Sequence, residues 1–514
     1  MYHVGSINIK EDDPLFAYLD YACLCANNMY NTANFYIRNL MTGLKKAVAA
    51  RTGNEKDVIA SVAGAVPEIN SALMDKCAGK IKKILDSPSL SDKEKEDKIE
   101  KAKCTMFSMP DAAHWFASYG LLDAVFRHNG NADYNAHHSH LVQNTIKECI
   151  EAWISFFKQP KEGNGTGRKK IPGYKKSGGR STATFSNIAC FVKDGMLFFP
   201  YVTLPGEKKK ARASIPLGAL PHVATDKLVE VRVVPYFNMY RIQIVTDDGI
   251  PEEDSLPLEE GIIRKDGQPE GVMMLDPGLT NFATITDNKG NTPIAIKGGA
   301  LKARNQWYNK RISALRSAQM KGKDPEKEHL PWTKRMKAIA RKRDAFLTDT
   351  FYKYSHYICR LMESRGLRYL IIGHDNGQKQ GIRLGHKTDQ EFCCIPFARF
   401  NGILQTVARG YGIRVIPQEE SYTSRANFLA RDPIPVYGEE GADRVKFSGR
   451  RIDCGLYKTN DGKTMNADVN GSANIGRKHD ERIFPEGMDT SYLYGTVVAM
   501  TYRDILMESQ KRKK

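Results

Sequence analysis

The sequence predicts a multidomain α+β protein: an all-helical lobe, a small antiparallel β-barrel and a mixed α/β domain, in that order. Three observations predict it. Apolar residues recur at three- and four-residue steps through most of residues 13–159. Five short runs rich in β-branched and aromatic residues, separated by turn signals, then fill residues 160–260. From Gly271 onward, strand-like and helix-like patterns alternate.

Composition bounds the possibilities. A chain of 514 residues holds about three domains, and 41% hydrophobic content is enough to build cores. Nothing in it is collagen-like, and it does not read as disordered or coiled-coil as a whole. The 77 Lys and Arg exceed the 59 Asp and Glu, a formal charge of +18 that favours a polyanionic partner, nucleic acid before an acidic membrane surface. The start, M-Y-H-V-G-S-I-N-I-K-E-D-D, lacks the apolar core of a signal peptide, and no run approaches the roughly 18 apolar residues of a spanning helix. A soluble cytoplasmic protein with no membrane partner is expected. The 10 cysteines are scattered without a C-x-x-C pair, so neither a zinc ribbon nor a thioredoxin-like motif is written.

The helical lobe opens at Asp13-Pro14, a helix cap followed by a first-turn proline. Leu15, Leu19, Ala22, Ala26, Met29, Ala33, Ile37 and Leu40 then make the apolar stripe of one long helix. Its other face carries Asn27, Asn28, Asn31, Asn34 and Arg38, either a solvated surface or a nucleic-acid contact. Residues 52–100 are charge-dense and read as an exposed helical insertion. Two further apolar faces run through Trp115, Leu121, Leu122, Val125 and Phe126 and through Val142, Ile146, Ile150, Trp153 and Phe157. Between them His137, His138 and His140 have no carboxylate or thiolate spaced to complete a metal shell.

Residues 160–180 are rich in Gly and Lys but do not match a phosphate-binding loop, because G-x-x-x-x-G-K-[S/T] is absent and no strand precedes them. Lys169, Lys170, Tyr174, Lys175 and Lys176 pair charge with an aromatic, as a flexible arm that follows a phosphate backbone does; a solvated linker is the alternative. The strand runs that follow suggest a small barrel, an architecture that serves as an oligonucleotide-binding platform. The acidic stretch 251–260 reads as a linker.

In the α/β domain, V-M-M-L-D, the turn P-G-L and N-F-A-T-I-T-D form a hairpin series. Residues 301–345 hold 14 Lys or Arg against 4 Asp or Glu. A solvated helix alternates signs to gain i,i+4 pairs, so this imbalance argues for a phosphate-facing surface. Its candidates are Arg304, Tyr308, Lys310, Arg311, Lys334, Arg335, Lys337, Arg341, Lys342 and Arg343. Met336, Ile339, Phe346, Phe351, Tyr354, Ile358 and Leu361 give the face that docks on the sheet. R-Y-L-I-I-G-H-D is a buried strand; a helix ending at a glycine and the strand R-V-I-P-Q-E-E follow, an order that argues for parallel pairing.

Three acids follow apolar or small residues at ends of regular elements: Asp276 in the middle of the hairpin, Glu420 after V-I-P-Q-E, and Asp468 in N-A-D-V-N-G-S-A-N-I. A lone Asp is usually a cap or a turn residue. Three acids on such elements in a basic chain point instead to hydrolysis of a phosphodiester. That chemistry needs an activated water and relief of charge on the phosphate, which two hard divalent cations held by carboxylates supply.

L-D-P-G-L-T-N-F-A-T-I, E-E-S-Y-T-S-R-A-N-F and N-A-D-V-N-G-S-A-N-I resemble the three split motifs of the RuvC-like nuclease domain in TnpB, the transposon-encoded RNA-guided DNA nucleases, and in the related compact type V CRISPR effectors. The resemblance is strong from about Gly271 to Arg477; upstream, only the order of domains fits. It implies a helical recognition lobe, a barrel of the wedge type and an RNase H-like RuvC domain. It implies a guide RNA, a single- and double-stranded DNA target found beside a short adjacent motif, and cleavage by two Mg2+ ions, for which Mn2+ substitutes. Asp276 and Asp468 are by this resemblance the first and third catalytic metal ligands. The usual second acid stands where this chain has Gly373, and a subset of TnpB proteins and the eukaryotic Fanzor relatives carry a glutamate in E-x-Y-T-S instead, so Glu420 is taken as the relocated ligand. Glu419 has the opposite strand parity, and Asp375 is the rival.

Many relatives hold a zinc with four cysteines between the last two motifs; this insert keeps only Cys454, so no zinc is expected and packing and hairpin turns must fold it. Arg450 and Arg451 in the insert, and Gln378, Lys379 and Gln380 upstream, are further candidate nucleic-acid contacts. The expected boundaries are 1–12 for the first barrel strand, 13–159 for the helical lobe and 160–260 for the barrel. The nuclease core follows at 265–420 with a basic helical insertion at 301–362, then the insert at 421–465, and the third motif with a mobile tail at 466–514. Two other functions remain: an RNA-guided DNA-binding protein without nuclease activity, and a structure-selective resolvase that uses no RNA.

Overall fold

The computed structural model describes residues 2–102, 105–158, 170–218, 227–247, 249, 261–324, 328, 330–374, 395–453 and 455–511. Lys169, Asp375, Gln378, Lys379, Gln380 and Cys454 lie outside the described residues. The chain divides into two compact units, Met1–Ile250 and Pro251–Lys514. Among the described residues no helix is long and apolar enough to cross a membrane.

The first unit is built on α1 (Phe16–Gly43), whose stripe residues Leu19, Ala22, Ala26, Met29, Ala33, Ile37 and Leu40 are all fully buried. Asp13 does not cap this helix directly: its Oδ1 accepts from the Leu15 N–H at 2.9 Å, one turn early. Then come α2 (Gly53–Leu85), α3 (Asp92–Lys101), α4 (Tyr119–His128), α5 (Ala132–Asn135) and α6 (Ser139–Lys158). α2 and α3 each begin with a reciprocal capping box, Thr52 with Glu55 and Ser91 with Glu94, which satisfies donors the helix leaves open. α2 is less exposed than its charge suggests, since Val58, Val62, Ala65 and Val66 bury one face.

Among the described residues the β part of this unit forms two separate sheets and no closed barrel. β1 (Tyr2–Ile9), β2 (Ala183–Ser186), β6 (Leu228–Tyr236) and β7 (Met239–Asp247) make an antiparallel sheet of order β1-β7-β6-β2. β3 (Phe191–Lys193), β4 (Met196–Thr203) and β5 (Lys210–Pro216) make a separate three-stranded sheet. The reason is packing. α1 and α6 lie against β2, β6 and β7, so the apolar face of that sheet is covered by helices, and both sheets share one core with them.

The second unit holds a six-stranded mixed sheet of order β12-β11-β8-β9-β10-β16. Its strands are β8 (Val272–Pro277), β9 (Asn281–Asp287), β10 (Ile294–Lys297), β11 (Tyr369–His374), β12 (Arg414–Glu419) and β16 (Val498–Met500). β8, β9 and β10 are antiparallel, whereas β11 runs parallel to both β8 and β12. Alternation along these strands feeds two cores. Met273, Leu275, Leu370 and Ile372 face one layer with α8 (Lys334–Ser364) and α9 (Phe397–Arg409). Val272, Met274 and Ile371 face the other, with residues of α10 (Ala467–His479). β8 and β11 are therefore apolar on both faces, as the run Y-L-I-I-G suggests.

α7 (Gly299–Met320) and α8 form the basic insertion, and the insert before α10 folds as a small sheet of β13 (Arg450–Asp453), β14 (Leu456–Lys458) and β15 (Thr464–Asn466). The segment after Lys478 is not a loose tail. β16 pairs parallel to β10, and α11 (Tyr502–Lys511) follows with Ile505 fully buried and the Tyr502 ring 5.6 Å from that of Phe346.

One buried ion pair ties β9 to the end of α8. Arg365 Nη1 donates to Asp287 Oδ2 at 2.8 Å, with 13% and 0% of the two side chains exposed. Removing one partner strands the other charge in the interior. Arg365→Ala is expected to lower unfolding free energy by about 3 kcal/mol in urea titrations of the full chain, read from a tryptophan placed in the second unit's sheet.

Candidate active site

The three acids arrive from three elements on one side of the sheet. Asp276 is the fifth residue of β8 and shares parity with Val272 and Met274, the α10 side. Gly373 in β11 shares parity with Ile371 and so faces the same side. Asp468 sits in the first turn of α10, which Asn466 caps by accepting from the N–H groups of Asp468 (2.9 Å) and Val469 (3.2 Å). Glu420 follows the last residue of β12.

Two glycines make room for the carboxylates. A Cβ on Gly373 would stand 2.5 Å from Glu420 Oε2, so the Glu420 carboxylate fills the space that a side chain at 373 would occupy. A Cβ on Gly471 would stand 2.8 Å from Asp276 Oδ2, inside contact distance, so α10 reaches Asp276 only because that position has no side chain. Gly476 repeats the device one turn and a half further on, against the side chain of Met274.

Glu419 and Glu420 part company at the strand end. Glu419 bonds the nearly buried ammonium of Lys478, and its Oε1 takes the Ser421 N–H at 2.7 Å. Lys478 also donates to the carbonyls of Ser421 and Pro435, both at 2.9 Å. Burial works to raise the Glu419 carboxyl, but the bonds from Lys478 and Ser421 outweigh it and hold the group below its usual range. Glu419 is thus a strut between β12 and α10, its carboxylate committed to Lys478 and Ser421.

The turn after Glu420 is held by α10. Tyr422 adopts φ 63°, a left-handed conformation that costs a non-glycine residue about 1 kcal/mol or more. The Thr423 hydroxyl donates to the Glu420 carbonyl at 2.8 Å. Asn474 donates to the carbonyls of Thr423 (2.9 Å) and Ala426 (2.7 Å), and Asn470 donates to Ala426 at 2.8 Å while accepting from the Phe428 N–H. Asn470 and Asn474 are one helical turn apart, so one face of α10 grips the turn that delivers Glu420. Sequence reasoning missed this pair, although their i,i+4 spacing beside Asp468 was the signal.

Asp468 has donors on both oxygens. Asn281 of β9 donates to Oδ2 at 2.7 Å, and Lys297, its neighbour on β10, donates to Asn281 Oδ1 at 2.8 Å. The ammonium fixes which way the amide points and so presents its N–H to the carboxylate. Arg451 of β13 donates to Oδ1 at 3.2 Å. Arg451 was expected on a substrate strand; in this structure its guanidinium rests on Asp468, and the neighbouring Arg450 is exposed. Asn281 and Lys297 went unread because neither carries a charge pattern of its own.

The electrostatics bind the acids into one cluster. Burial raises the Asp276 carboxyl well above its ordinary 3.8, Glu420 and Asp468 raise it further, and Arg451 pulls the other way. A donor set made of carboxylate oxygens suits hard divalent cations, and mutual repulsion of this kind is what such a cation relieves. The residues therefore fit magnesium or manganese by chemistry. Among the described residues no three His, Cys, Asp or Glu side chains form a ready metal cage.

The other candidates divide by exposure. The 170–176 segment is no flexible arm: α1 holds it down. Asn27, Asn31, Asn34 and Arg38 donate to the carbonyls of Lys176, Lys175, Gly173 and Pro172 at 2.5–3.1 Å, and Asn31 also accepts from the Lys175 N–H. Those asparagines bind the chain's own backbone instead of solvent or nucleic acid. Lys175 is spent on Glu148 (2.8 Å) and the Tyr30 ring (4.0 Å), while Lys170, Tyr174 and Lys176 remain exposed. In the basic insertion Arg304 lies over Phe346, and Arg343 bonds Asn305 and covers Tyr308. Lys337 and Arg341 are half-buried, whereas Lys310, Arg311, Lys334, Arg335 and Lys342 face solvent. His140, in the histidine trio, shares a 2.6 Å hydrogen bond with Ser186.

Residues 255–376 match the family OrfB_IS605, described as a probable transposase. No curated protein matches the chain. Among solved structures, a Cas12f1 complex with single guide RNA and target DNA aligns at 10% identity over 93% of this chain and 100% of that one, with a TM-score of 0.29. A CRISPR-Cas12f ternary complex aligns at 11% identity over 82% and 81%, with a TM-score of 0.29. An AacC2c1 complex with single guide RNA aligns at 10% identity over 88% and 70%, with a TM-score of 0.30.

The acid cluster carries a stability cost in the metal-free chain. Because the folded state raises the Asp276 carboxyl, ionising it at neutral pH weakens folding, and below the ordinary 3.8 both states are protonated and the cost vanishes. Asp276→Asn is therefore expected to raise the thermal midpoint in EDTA at pH 7 by on the order of a few degrees. The gain shrinks as pH falls towards the ordinary carboxylate range, as scanning calorimetry at a series of pH values would read.

Proposed function

We infer that this TnpB-like chain is an RNA-guided DNA endonuclease. It binds a structured guide RNA, recognises a short motif beside its target and cleaves DNA by metal-dependent phosphodiester hydrolysis at one RuvC-type site. The observation that carries the reading is the convergence of Asp276, Glu420 and Asp468, from β8, the end of β12 and the first turn of α10, into one mutually repelling cluster. The match of residues 255–376 to a transposase family supports it, as does the formal charge of +18.

Asp276, Glu420 and Asp468 would hold the metal. Bound there, two magnesium ions supply the activated water and the charge relief that a phosphodiester requires. The chain's own residues set the stage. Gly373 and Gly471 leave space for Glu420 and Asp276, the Lys297 and Asn281 relay points Asp468, and Lys478 keeps Glu419 turned away. Arg451 is placed to balance the charge on Asp468 and, on the exposed small sheet, to meet a phosphate entering the cluster. Exposed Lys310, Arg311, Lys334, Arg335 and Lys342 offer a phosphate-facing strip in the same unit. Base pairing with the guide would read sequence, and the protein would read shape and the adjacent motif.

A second reading has one observation behind it. Arg451 already pairs with Asp468 and the acids form no closed cage among the described residues, an arrangement that a nuclease-inactive RNA-guided binding protein also accommodates. A magnesium-dependent cleavage assay with the copurified RNA separates the two, and ribonuclease pretreatment that spares cleavage would favour an RNA-independent nuclease.

Asp276→Ala, Glu420→Ala and Asp468→Ala are each expected to lower the cleavage rate at least about a hundredfold while target binding in gel shifts stays within about threefold. Cleavage at full rate by Glu420→Ala would remove Glu420 from the site. Gly373→Ala is expected to fold yet cut at least about tenfold more slowly, because the new methyl displaces the Glu420 carboxylate, with the Ile475 side-chain tip giving way beside it.

A further inference from the structure

The first unit carries a solvent-facing surface that core packing does not account for. In the three-stranded sheet, the register of β4 against β5 shifts between Phe198 and Tyr201. In an unbroken strand these two residues would point to opposite faces. The extra residue of the bulge turns both outward, while Leu197, Phe199 and Val202 are buried on the inner face. Phe191 of β3 pairs with Phe198, their rings stacked 5.3 Å apart, and Tyr201 pairs with Arg212 of β5. The Arg212 guanidinium is central: it lies 4.7 Å from the Phe191 ring and 5.0 Å from those of Phe198 and Tyr201. Its Nε donates to the Phe199 carbonyl at 3.2 Å, and among the described residues no carboxylate neutralises it. Tyr201 is 57% exposed and Phe191 39%.

A surface that only closed over the core would bury these rings or surround them with uncharged polar groups. This one leaves Phe191, Tyr201 and Arg212 exposed with Phe198 half-buried between them, and its strands carry excess positive charge. Residues 191–216 hold five cations, Lys193, Lys208, Lys209, Lys210 and Arg212, against Asp194 and Glu207. Lys193 and Lys210 share the outward parity of Phe191 and Arg212 and lie on two different strands of the face. Planar rings flanked by mobile ammonium groups match unpaired nucleotides, whose bases stack while their phosphates take the lysines.

We propose that the outer face of β3, β4 and β5, centred on Arg212 between Phe191, Phe198 and Tyr201, binds unpaired nucleotides of the RNA that this chain carries. The proposal rests on the RNA-binding half of the function inferred above and names its place on the protein. Charge complementarity selects a polyanion, and the exposed π-faces select single-stranded over paired nucleic acid.

The test uses the full chain freed of copurified RNA and titrated with an oligo(U) RNA of about ten nucleotides carrying one 2-aminopurine, whose fluorescence reports stacking. Tyr201→Ala and Arg212→Ala are each expected to weaken binding about tenfold. Tyr201→Phe, which keeps the ring, is expected to bind as the parent does. Tyr201→Ala is expected to leave the thermal midpoint and the salt dependence of binding unchanged, since stacking releases no counterions; a fold defect would move the first. Ultraviolet crosslinking of the RNA-loaded chain should attach nucleotides to the peptide holding Tyr201. Undiminished affinity in both alanine variants overturns the surface while leaving RNA guidance intact, whereas a parent chain that binds no RNA at all overturns the guidance reading too. Crosslinks at Tyr201 to single-stranded DNA alone, or loss of a copurifying protein instead of RNA in Tyr201→Ala, would also overturn the assignment.

Discussion

The second unit depends on how closely α10 can lie against the sheet. Carboxylates repel one another, so a cluster of three persists only where the surrounding packing leaves them no other place. Gly471 and Gly476 let the helix approach β8, and Gly373 leaves a gap in β11 into which Glu420 extends. Met274, Ile371, Val469, Ala473 and Ile475 supply the apolar contact that drives this approach. Thr286 and Ser472 share a 2.9 Å hydrogen bond across the same interface, and Ser472 donates to the Met274 carbonyl, so these two hydroxyls are satisfied. The helix that presents Asp468 is also the clamp on the turn that presents Glu420, which makes the two acids mechanically one object.

Much of this was legible in the sequence, and the reasons are specific. β8 and β11 announced themselves because strands covered on both faces are continuously apolar, and α1 did so through an uninterrupted stripe. Asp276, Glu420 and Asp468 stood out because each sits in a short stretch, L-D-P-G-L-T-N, E-E-S-Y-T-S or N-A-D-V-N-G-S-A-N-I, that resembles one split motif of the same nuclease family. What pattern could not reveal was pairing. The strand runs of the first unit read as a barrel because local periodicity does not say which strand meets which, and here they pair into two sheets around a core that α1 and α6 share. The relay through Asn281 and Lys297 was equally silent, since a neutral amide acquires its role only from neighbours brought in by register.

Charge proved a poorer guide to surface than it first suggests. Arg304, Arg343 and Lys175 all belong to basic stretches, yet each is engaged with an aromatic ring or a polar group of its own chain. Long cationic side chains have apolar stems and planar or compact heads, and they serve as well for covering rings as for reaching phosphates. The strap held by Asn27, Asn31 and Asn34 makes the same point for amides: a polar helix face can be a dock for the chain's own extended backbone, whose carbonyls need donors when they are not in a sheet.

The sixth strand gives the mixed sheet of the second unit an unusual history of assembly. β16 joins β10 through the pairs Ile294 with Val498 and Ile296 with Met500, so a hairpin laid down early is completed by residues that come at the far end of the unit. Until then the outer edge of β10 offers bare amides and carbonyls to any strand nearby. Closing so long a loop is slow, and a waiting edge is where nascent chains pair with the wrong molecule. Yield in a foreign host would accordingly be governed by chaperone supply and growth temperature during this interval more than by the strength of the finished fold.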